Sequence, residues 1–169
     1  MNTEDEAEFR TYAAARMIAL RRTAYLLSGD WHHAEDAVQN VLTKLYVHWE
    51  RVKRNDSLDA YVRTMLVRAT LERRRRTWWR REVSVEALPD TTSQPADPTD
   101  DRLDLIAALA QMPPRQRAVI VLRFWEDLDV AQTAEVLGCS EGTVKSQTSH
   151  GLATMRRLLS NPRLEGQQS

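Results

Sequence analysis

Residues 129–147, DVAQTAEVLGCSEGTVKSQ, carry the signals that decide the fold of the second half of the chain. Asp129 lies three residues before Gln132, an acidic analogue of the capping box that opens a short helix. Gly138 supplies the turn that ends this helix, and Ser140 is placed to cap the next one. Two capped helices joined by a short glycine-containing turn are typical of a helix-turn-helix, whose second helix presents its N-terminal residues to the major groove of DNA.

The start of the second of these helices carries side chains that suit DNA. The residues predicted to reach phosphates, sugars or base edges are Thr143, Lys145, Ser146, Gln147, Ser149 and His150. Lys145 is the candidate for a phosphate contact, and the small residues permit close approach of the backbone. An ordinary helical hairpin with a solvated face is the alternative. The caps on both helices, the turn glycine and the absence of acidic residues after Glu141 in this helix favour DNA binding.

The composition of the 169-residue chain favours an all-α protein with two small domains. Helix-forming residues dominate, glycine is limited to five residues, and the alternation typical of strands is not found. A segment rich in Pro, Asp and Thr near the middle predicts a linker. The single cysteine, Cys139, excludes an internal disulfide. No signal segment or membrane-spanning apolar run is found, so we expect a cytoplasmic protein without membrane insertion.

Helical periodicity predicts two consecutive helices at the start of the chain. The first ends at Ser28 and Gly29, and Asp30 caps the second, which runs from Trp31 to Trp49. The predicted inward face of the second helix consists of Ala34, Ala37, Val38, Val41, Leu42, Leu45 and Trp49. Its outward face consists of Asp36, Gln39, Asn40, Thr43 and Lys44.

A polar loop is predicted over residues 51–56, before a third helix. Asp56 or Ser57 is placed to cap that helix. Its predicted inward face consists of Leu58, Tyr61, Val62, Met65, Leu66 and Ala69. The helix continues to Arg81, so the first domain ends in an intensely basic segment.

In the second half, helix formation resumes at Leu103. Pro113 and Pro114 break this helix, and Pro114 opens the next, which extends through Phe124. The predicted buried side of the last helix consists of Val144, Leu152, Met155 and Leu159.

The formal net charge of zero hides a strong segregation of charge along the chain. Residues 51–81 contain eleven basic and three acidic residues, a local balance of +8. Residues 82–105 contain seven acidic residues and one basic residue, a balance of −6. A basic block followed by an acidic one indicates a nucleic-acid surface beside a segment that nucleic acid avoids.

Two stretches of the chain resemble a known protein family. Residues 109–159 contain, in order, MPPRQR, EDL and LGCSEGTVKS, and they resemble region 4 of sigma factors. Residues 20–44 contain GDWHHAEDAVQ and resemble the first half of region 2. The chain is therefore identified as a member of the extracytoplasmic-function (ECF, group 4) sigma factors of bacterial RNA polymerase, an actinobacterial-like branch of the sigma-70 family.

The resemblance implies roles for two surfaces of the first domain. The outward residues that fall where relatives bind the clamp helices of the largest polymerase subunit are Asp36, Gln39, Asn40 and Thr43. A solvated face is the alternative. The residues that fall on the loop that captures a flipped base of the −10 element are Arg54, Asn55, Asp56 and Ser57. Helix capping by Asp56 and Ser57 is compatible with this role.

Promoter melting also needs cations along the phosphates and aromatic planes on which bases stack. The residues predicted to supply them are Arg63, Arg68, Arg73, Arg74, Arg75, Arg76, Trp78 and Trp79. Docking of the two tryptophans onto the helical core is the alternative. Many relatives carry Asn at the position of Arg68, so their choice of −10 bases does not transfer to this chain.

Departures from the family pattern also occur in the helix-turn-helix. Gln147 and His150 stand where relatives frequently carry Arg, which reduces the cationic character of the helix. Binding of the −35 element is therefore expected to depend on Lys145, Arg156, Arg157 and contacts at the helix terminus.

The resemblance also implies a domain organisation and partners. Region 2 is expected over residues 1–82, a flexible acidic linker over 83–102, region 4 over 103–162 and a disordered tail over 163–169. The linker is expected to thread past the polymerase active-centre cleft, and a solubilising tether is the alternative. The implied partners are core RNA polymerase, through the clamp helices and the flap of the second-largest subunit, promoter DNA and, as a further candidate, an anti-sigma factor.

Two other functions compete with this interpretation. A stand-alone helix-turn-helix regulator with a sensor domain is disfavoured by the Arg- and Trp-rich helix, and a small nuclease is disfavoured by the lack of an acidic metal cluster. His32, His33 and Glu35 lack the spacing of a metal site, and Cys139 has no visible basic partner to activate it. No catalytic residue set is recognised, so we predict no metal, no cofactor and no enzymatic activity.

Overall fold

The chain divides into two compact units, Met1–Thr92 and Ser93–Ser169. The structure, a computed structural model, describes residues 1–81 and 100–160, with side chains for 1–72 and 101–160. In these residues all regular structure is helical, which confirms the predicted all-α class. Most of the predicted linker and the whole predicted tail, residues 163–169, lie outside the described residues.

The first unit contains four helices. They are α1 (Thr3–Ser28), α2 (Trp31–Val47), the short α3 (Trp49–Val52) and α4 (Leu58–Arg81). The long helices α1, α2 and α4 pack against one another. The predicted inward stripe of α2 is confirmed, because all of its seven residues are buried in one cluster. Each large aliphatic side chain buried there contributes about 1.5–3 kcal/mol of transfer free energy.

The predicted end of α1 and the predicted start of α2 are confirmed. Gly29 adopts a left-handed conformation with φ 73° at the end of α1, and its N–H donates to the Tyr25 carbonyl. The Asp30 carboxylate then accepts hydrogen bonds from the backbone N–H groups of His32 and His33. These two caps fix the sharp turn between α1 and α2.

Helix α2 ends two residues earlier than predicted, and the first two residues of the predicted loop 51–56 belong to α3. The helix ends at Val47, and Trp49 and Val52 belong to α3. Both side chains are buried, Trp49 at 3% and Val52 at 6% exposure. Val52 has polar neighbours in the sequence, so its burial was not predicted. It is buried because α3 packs against the core of the first unit.

The start of α4 combines two local bonds. The Ser57 carbonyl accepts from the Tyr61 N–H at 2.9 Å, which places Ser57 at the N-cap position as predicted. The Asn55 side chain accepts from the Ser57 N–H at 3.0 Å, a contribution that the sequence analysis did not assign. On the predicted inward face of α4, Val62 and Leu66 are buried, and the other four residues pack partly buried against the core.

The second unit contains four α-helices and one π-helical turn. They are α5 (Asp100–Gln111), α6 (Pro114–Ile120), the π-helical turn (Val121–Trp125), α7 (Val130–Leu137) and α8 (Glu141–Leu159). Helix α5 thus begins three residues before the predicted Leu103. Pro114 is the first residue of α6, as predicted. Asp127, with φ 54°, lies between the π-helical turn and α7.

Two predictions in this unit need correction. Phe124, expected on the helix that follows Pro114, lies in the π-helical turn and is 58% exposed. Leu159, predicted on the buried side of α8, is 46% exposed. At this end of α8 the apolar stripe passes instead to Leu158, which is half-buried.

Candidate polymerase and promoter interfaces

The helix-turn-helix is formed by α7 and α8. The Asp129 carboxylate accepts from the Gln132 N–H at 2.7 Å, and the Gln132 side chain accepts from the Asp129 N–H at 3.0 Å, so the capping box is complete. Gly138 has φ 67° at the end of α7, and the Ser140 hydroxyl accepts from the Thr143 N–H at 3.1 Å. The predicted signals at both ends of the turn are confirmed.

The position of α8 depends on a close approach to α6. Val144 of α8 is fully buried against Val119 and Ala134. Further along α8, a side chain at Gly151 would force Ile120 to shift, since an added Cβ would lie 3.0 Å from Ile120 Cγ1. Glycine in a helix interior is unfavourable by about 1 kcal/mol relative to alanine, and here it permits the packing of two helices.

We expect Gly151→Val to destabilise the second unit by about 1–3 kcal/mol, because the branched side chain is forced into Ile120. Denaturant unfolding of the full-length chain measures this change. Ala153→Val is the matched control, since Ala153 is exposed on the same helix, and its expected cost is below about 1 kcal/mol. Equal stability of the two variants would contradict the packing role of Gly151.

The exposed face of α8 contains most of the predicted −35 residues. The exposed members of the set are Lys145, Ser146, Ser149, His150, Arg156 and Arg157. Thr143 and Gln147 are half-buried at the edge of this face, and the Thr143 hydroxyl lies 2.9 Å from the Ser140 hydroxyl. The structure therefore presents Lys145, Ser146, Ser149 and His150 for direct contact more openly than Gln147.

The two arginines at the end of α8 are far from its N-terminus. Arg156 lies eleven residues after Lys145, which is roughly 16 Å along the helix axis. Both Arg156 and Arg157 are in the last turn, where cations also interact favourably with the helix dipole. They can reach the DNA backbone only where the helix lies along the groove.

Arg117 is a structural residue that the sequence analysis did not identify. Its side chain is completely buried. The guanidinium donates hydrogen bonds to the carbonyls of Leu109 at 2.5 Å, Ala110 at 2.8 Å and Met112 at 3.0 Å. These carbonyls lie at and just beyond the end of α5, where a helix leaves acceptors without intrahelical partners. The signal was an arginine directly before the apolar run of residues 118–122.

The outward face of α2 is polar and accessible. Asp36, Gln39, Asn40 and Thr43 are all exposed, as predicted. The Thr43 hydroxyl donates to the Gln39 carbonyl at 2.8 Å, so its proton is already used within the helix. The face therefore offers a carboxylate, two amides and one hydroxyl acceptor on a rigid helix.

The predicted base-capturing loop, residues 54–57, is fully on the surface. Arg54, Asn55, Asp56 and Ser57 are each exposed. Arg63 is half-buried and Arg68 is exposed on the helix that follows. Helix α4 extends through Arg81, as predicted. The side chains of Arg73, Arg74, Arg75, Arg76, Trp78 and Trp79 lie outside the described residues.

Side chains of α1 form hydrogen bonds with Lys53 and Asp59, which lie on either side of this loop. Lys53 Nζ donates hydrogen bonds to Asp5 and Glu8, which raises the pKa of Lys53 above its usual range. Asp59 accepts from Arg16 and Tyr12, and its pKa is lowered chiefly by the Arg16 hydrogen bond. Burial and, second, the hydrogen bond to Asp59 raise the pKa of Tyr12 to about 12. Lys53 and Asp59 are therefore charged, and Tyr12 is neutral, at neutral pH.

Other kinds of site find no support in the part of the chain that is described. No group of three His, Cys, Asp or Glu side chains is arranged to hold a metal ion among these residues. Glu35 forms an ion pair with Arg21, and Cys139 packs partly buried against the helix-turn-helix core. None of the helices searched in these residues is long and apolar enough to cross a membrane.

Comparisons with known proteins agree with this arrangement. Residues 14–80 match the family model of sigma-70 region 2, and residues 102–155 match that of sigma-70 region 4. The chain is 37% identical to the RNA polymerase sigma-E factor of Streptomyces coelicolor, over 90% of this chain and 86% of that protein. The chain belongs to the sigma-70 family.

This sigma factor is also similar to ECF proteins. It is 32% identical to the ECF RNA polymerase sigma factor SigG of Mycobacterium tuberculosis over 85% of this chain and 46% of that protein. It also resembles the sigma factor RpoE of Bartonella quintana, solved in complex with the anti-sigma factor NepR, with a TM-score of 0.74 and 26% identity over 90% and 96% of the two chains. The sigma factor thus belongs to the ECF group and directs promoter-specific initiation by RNA polymerase.

The matched ranges divide the candidate surfaces between the two regions of the sigma factor. The α2 face and the loop 54–57 lie within the region 2 match, and the helix-turn-helix lies within the region 4 match. A stand-alone helix-turn-helix regulator does not account for the region 2 match. As a sigma factor, the chain is a regulatory initiation factor.

Proposed function

We propose that the outward face of α2 binds the clamp helices of the largest subunit of core RNA polymerase. The face consists of Asp36, Gln39, Asn40 and Thr43, all of which are exposed. The observation that favours a polymerase subunit over a plain DNA-binding regulator is the match of residues 14–80, which include this face, to sigma-70 region 2. The sigma factor itself performs no catalysis, and it acts in the cytoplasm, where transcription takes place.

The DNA-binding part of the proposal assigns two promoter elements to two surfaces. The loop 54–57 and the basic end of α4 bind and open the −10 element, with Arg63, Arg68 and the basic and aromatic residues 73–79 along the single strand. The exposed face of α8 binds the −35 element, and region 4 also contacts the flap of the second-largest subunit. The domain limits proposed from sequence, 82/83, 102/103 and 162/163, belong to the same assignment.

An anti-sigma factor is a further proposed partner. The solved RpoE relative is bound to the anti-sigma factor NepR, and RpoE covers almost the whole of this chain. This likeness supports inhibition of the same kind here.

Reconstitution with core polymerase tests the proposed function. Promoters are selected from a random DNA library with the purified sigma factor and core enzyme, and run-off transcripts are measured from the selected DNA. We expect transcripts with one defined start site that require the sigma factor. If core enzyme with sigma factor gives no promoter-specific transcript from any selected DNA, the proposal fails.

Lys145→Ala is expected to weaken promoter binding by the holoenzyme. Because one phosphate contact is lost, the slope of log K against log salt concentration should fall by about one unit. Arg102→Ala is the matched control, since Arg102 is exposed in the same unit but lies on α5. An unchanged slope for Lys145→Ala would place this side chain away from the DNA backbone.

A further inference from the structure

Two sets of long-range hydrogen bonds join α1 to both ends of the loop 54–57. We call the contacts to Lys53, just before the loop, the first brace, and the contacts to Asp59, just after it, the second brace. In each of these bonds the α1 residue and its partner are 43 to 48 positions apart in the sequence. Only the tertiary fold brings these groups together.

The first brace holds an ammonium group between two carboxylates. Lys53 Nζ donates to Asp5 and, at 2.9 Å, to Glu8. Asp5 is 5% exposed, which is unusual for a carboxylate, and this cation is its partner across the fold. A buried carboxylate bonded to an ammonium group defines the position of the loop entrance more closely than an exposed ion pair does.

The second brace holds the first turn of α4. The Tyr12 hydroxyl and Arg16 Nε each donate to Asp59 Oδ1 at 2.9 Å, and Arg16 also forms an ion pair with the second oxygen. The Tyr12 ring in turn lies 5.6 Å from the ring of buried Trp49. The loop exit is therefore connected to the aromatic core of the first unit.

The loop between the two braces is itself locally ordered. The Asn55 N–H donates to the Val52 carbonyl at 2.9 Å, and the Asn55 side chain accepts from Ser57. The side chains of residues 54–57 nevertheless remain exposed. A loop that is fixed at both ends and exposed at its centre is ordered before it binds, so it loses less conformational entropy on binding.

We propose that α1 positions the −10 loop for base capture, with Asp5, Glu8, Tyr12 and Arg16 as positioning residues that do not contact DNA. This inference rests on the proposed function, because it takes the loop 54–57 as the site that binds an unpaired base. It adds residues of the N-terminal helix, which are far from the loop in the sequence, to those that determine −10 recognition. The Arg16–Asp59 ion pair of the second brace lies at the surface and contributes little to stability, so its main consequence is the geometry of the loop.

The test exploits the sign of the charge change. In Asp5→Asn with Glu8→Gln, two negative charges are removed from a DNA-binding protein, which by electrostatics alone leaves DNA binding unchanged or tightens it. Loss of the positioning of the loop instead weakens DNA binding. Holoenzyme is titrated with a fluorescent fork-junction DNA from the selected promoter, with the non-template −10 strand unpaired. Each −10 position is replaced in turn by an abasic nucleotide. The captured base is the one whose removal lowers the affinity most, relative to the intact DNA.

We expect the double variant to bind the fork-junction DNA about fivefold more weakly, as for one lost hydrogen-bonded contact, and to discriminate less between base and abasic site at the captured position. Binding of core polymerase should be unchanged, which also reports that the first unit is folded. Glu4→Gln with Glu6→Gln is the matched control, because it removes the same charge from the first turns of α1, where Glu4 is exposed and Glu6 is half-buried and pairs with Arg10 at 2.7 Å on the same helix. It should retain full discrimination.

A second variant covers the other brace without a charge change. Tyr12→Phe removes the hydroxyl that bonds to Asp59 and keeps the ring beside Trp49, and we expect reduced base discrimination here too. Wild-type affinity and discrimination in both variants, or the same loss in the Glu4 and Glu6 control, would overturn the proposal. A wild-type holoenzyme that discriminates at no −10 position would instead show that the loop assignment of the proposed function is wrong, and the positioning role would fall with it.

Discussion

Arg117→Met is expected to destabilise the second unit by about 3–5 kcal/mol, because the carbonyls of Leu109, Ala110 and Met112 lose their buried donor. A small domain is stable by about 5–15 kcal/mol in total, so this loss removes much of its stability. Helix α5 ends at these carbonyls, and α8 packs against both α5 and α6. We therefore expect the helix-turn-helix to lose its defined position along with the arginine.

Hydrogen exchange of the full-length chain measures this effect locally. Protection of residues 100–160 should fall strongly in Arg117→Met, while protection of the first unit stays the same. Arg115→Met is the matched control, because Arg115 is exposed two residues earlier on the same helix. Arg117→Lys keeps the charge but lacks the fork that serves three carbonyls, so it should rescue only part of the loss. Wild-type protection in Arg117→Met would show that the carbonyls find other partners.

The consequence for transcription follows from the division into two units. Holoenzyme containing Arg117→Met should still assemble, because the proposed clamp-binding face lies in the first unit. Transcription from promoters that depend on the −35 element should be lost. This separation of assembly from promoter use distinguishes a fold defect in region 4 from general misfolding.

Asp36→Arg is expected to abolish binding of core polymerase. The α2 face presents a single carboxylate beside two amides, so its proposed partner surface is rich in cations and hydrogen-bond donors. A guanidinium placed there meets like charge, which costs several kcal/mol and weakens binding by at least about a hundredfold. Co-purification with core enzyme and a titration of labelled sigma factor measure the change.

The control for this variant is Glu4→Arg, which makes the same charge change at an exposed position of α1. It should bind core polymerase normally, apart from a small effect of the helix dipole on stability. Asp36→Arg should keep the thermal unfolding of the wild-type chain, because the side chain is on the surface. Normal co-purification of Asp36→Arg would show that the polymerase binds elsewhere.

Local signals in the sequence predicted the elements that local chemistry controls. The Asp129 capping box, the Gly138 turn and the Ser140 cap each involve residues within three or four positions of one another, and the structure shows all of them. The buried stripe of α2 was equally visible, since helical periodicity alone places it. The residues of the proposed polymerase and −10 interfaces came chiefly from the resemblance to sigma factors, and those of α8 from the helix-turn-helix signals. Most of those with described side chains are exposed, whereas Arg63, Thr143 and Gln147 are half-buried.

The sequence analysis failed where burial depends on distant partners. Arg117 looked like one more surface cation, and Val52 looked like part of a polar loop. Leu159 continued an apolar stripe along α8 but lies where the stripe turns towards Leu158. In each case the neighbouring residues in the sequence were typical of one environment, buried or exposed, and the tertiary packing placed the side chain in the other.

The helix-turn-helix, the caps and the all-α architecture were thus determined by the sequence alone, because hydrogen bonds between near neighbours and the period of the helix decide them. The tertiary structure alone decided the burial of Arg117 against the end of α5, the space at Gly151 for α6 and the braces from α1 to Lys53 and Asp59. These features join groups far apart in the chain, and only packing determines which groups meet.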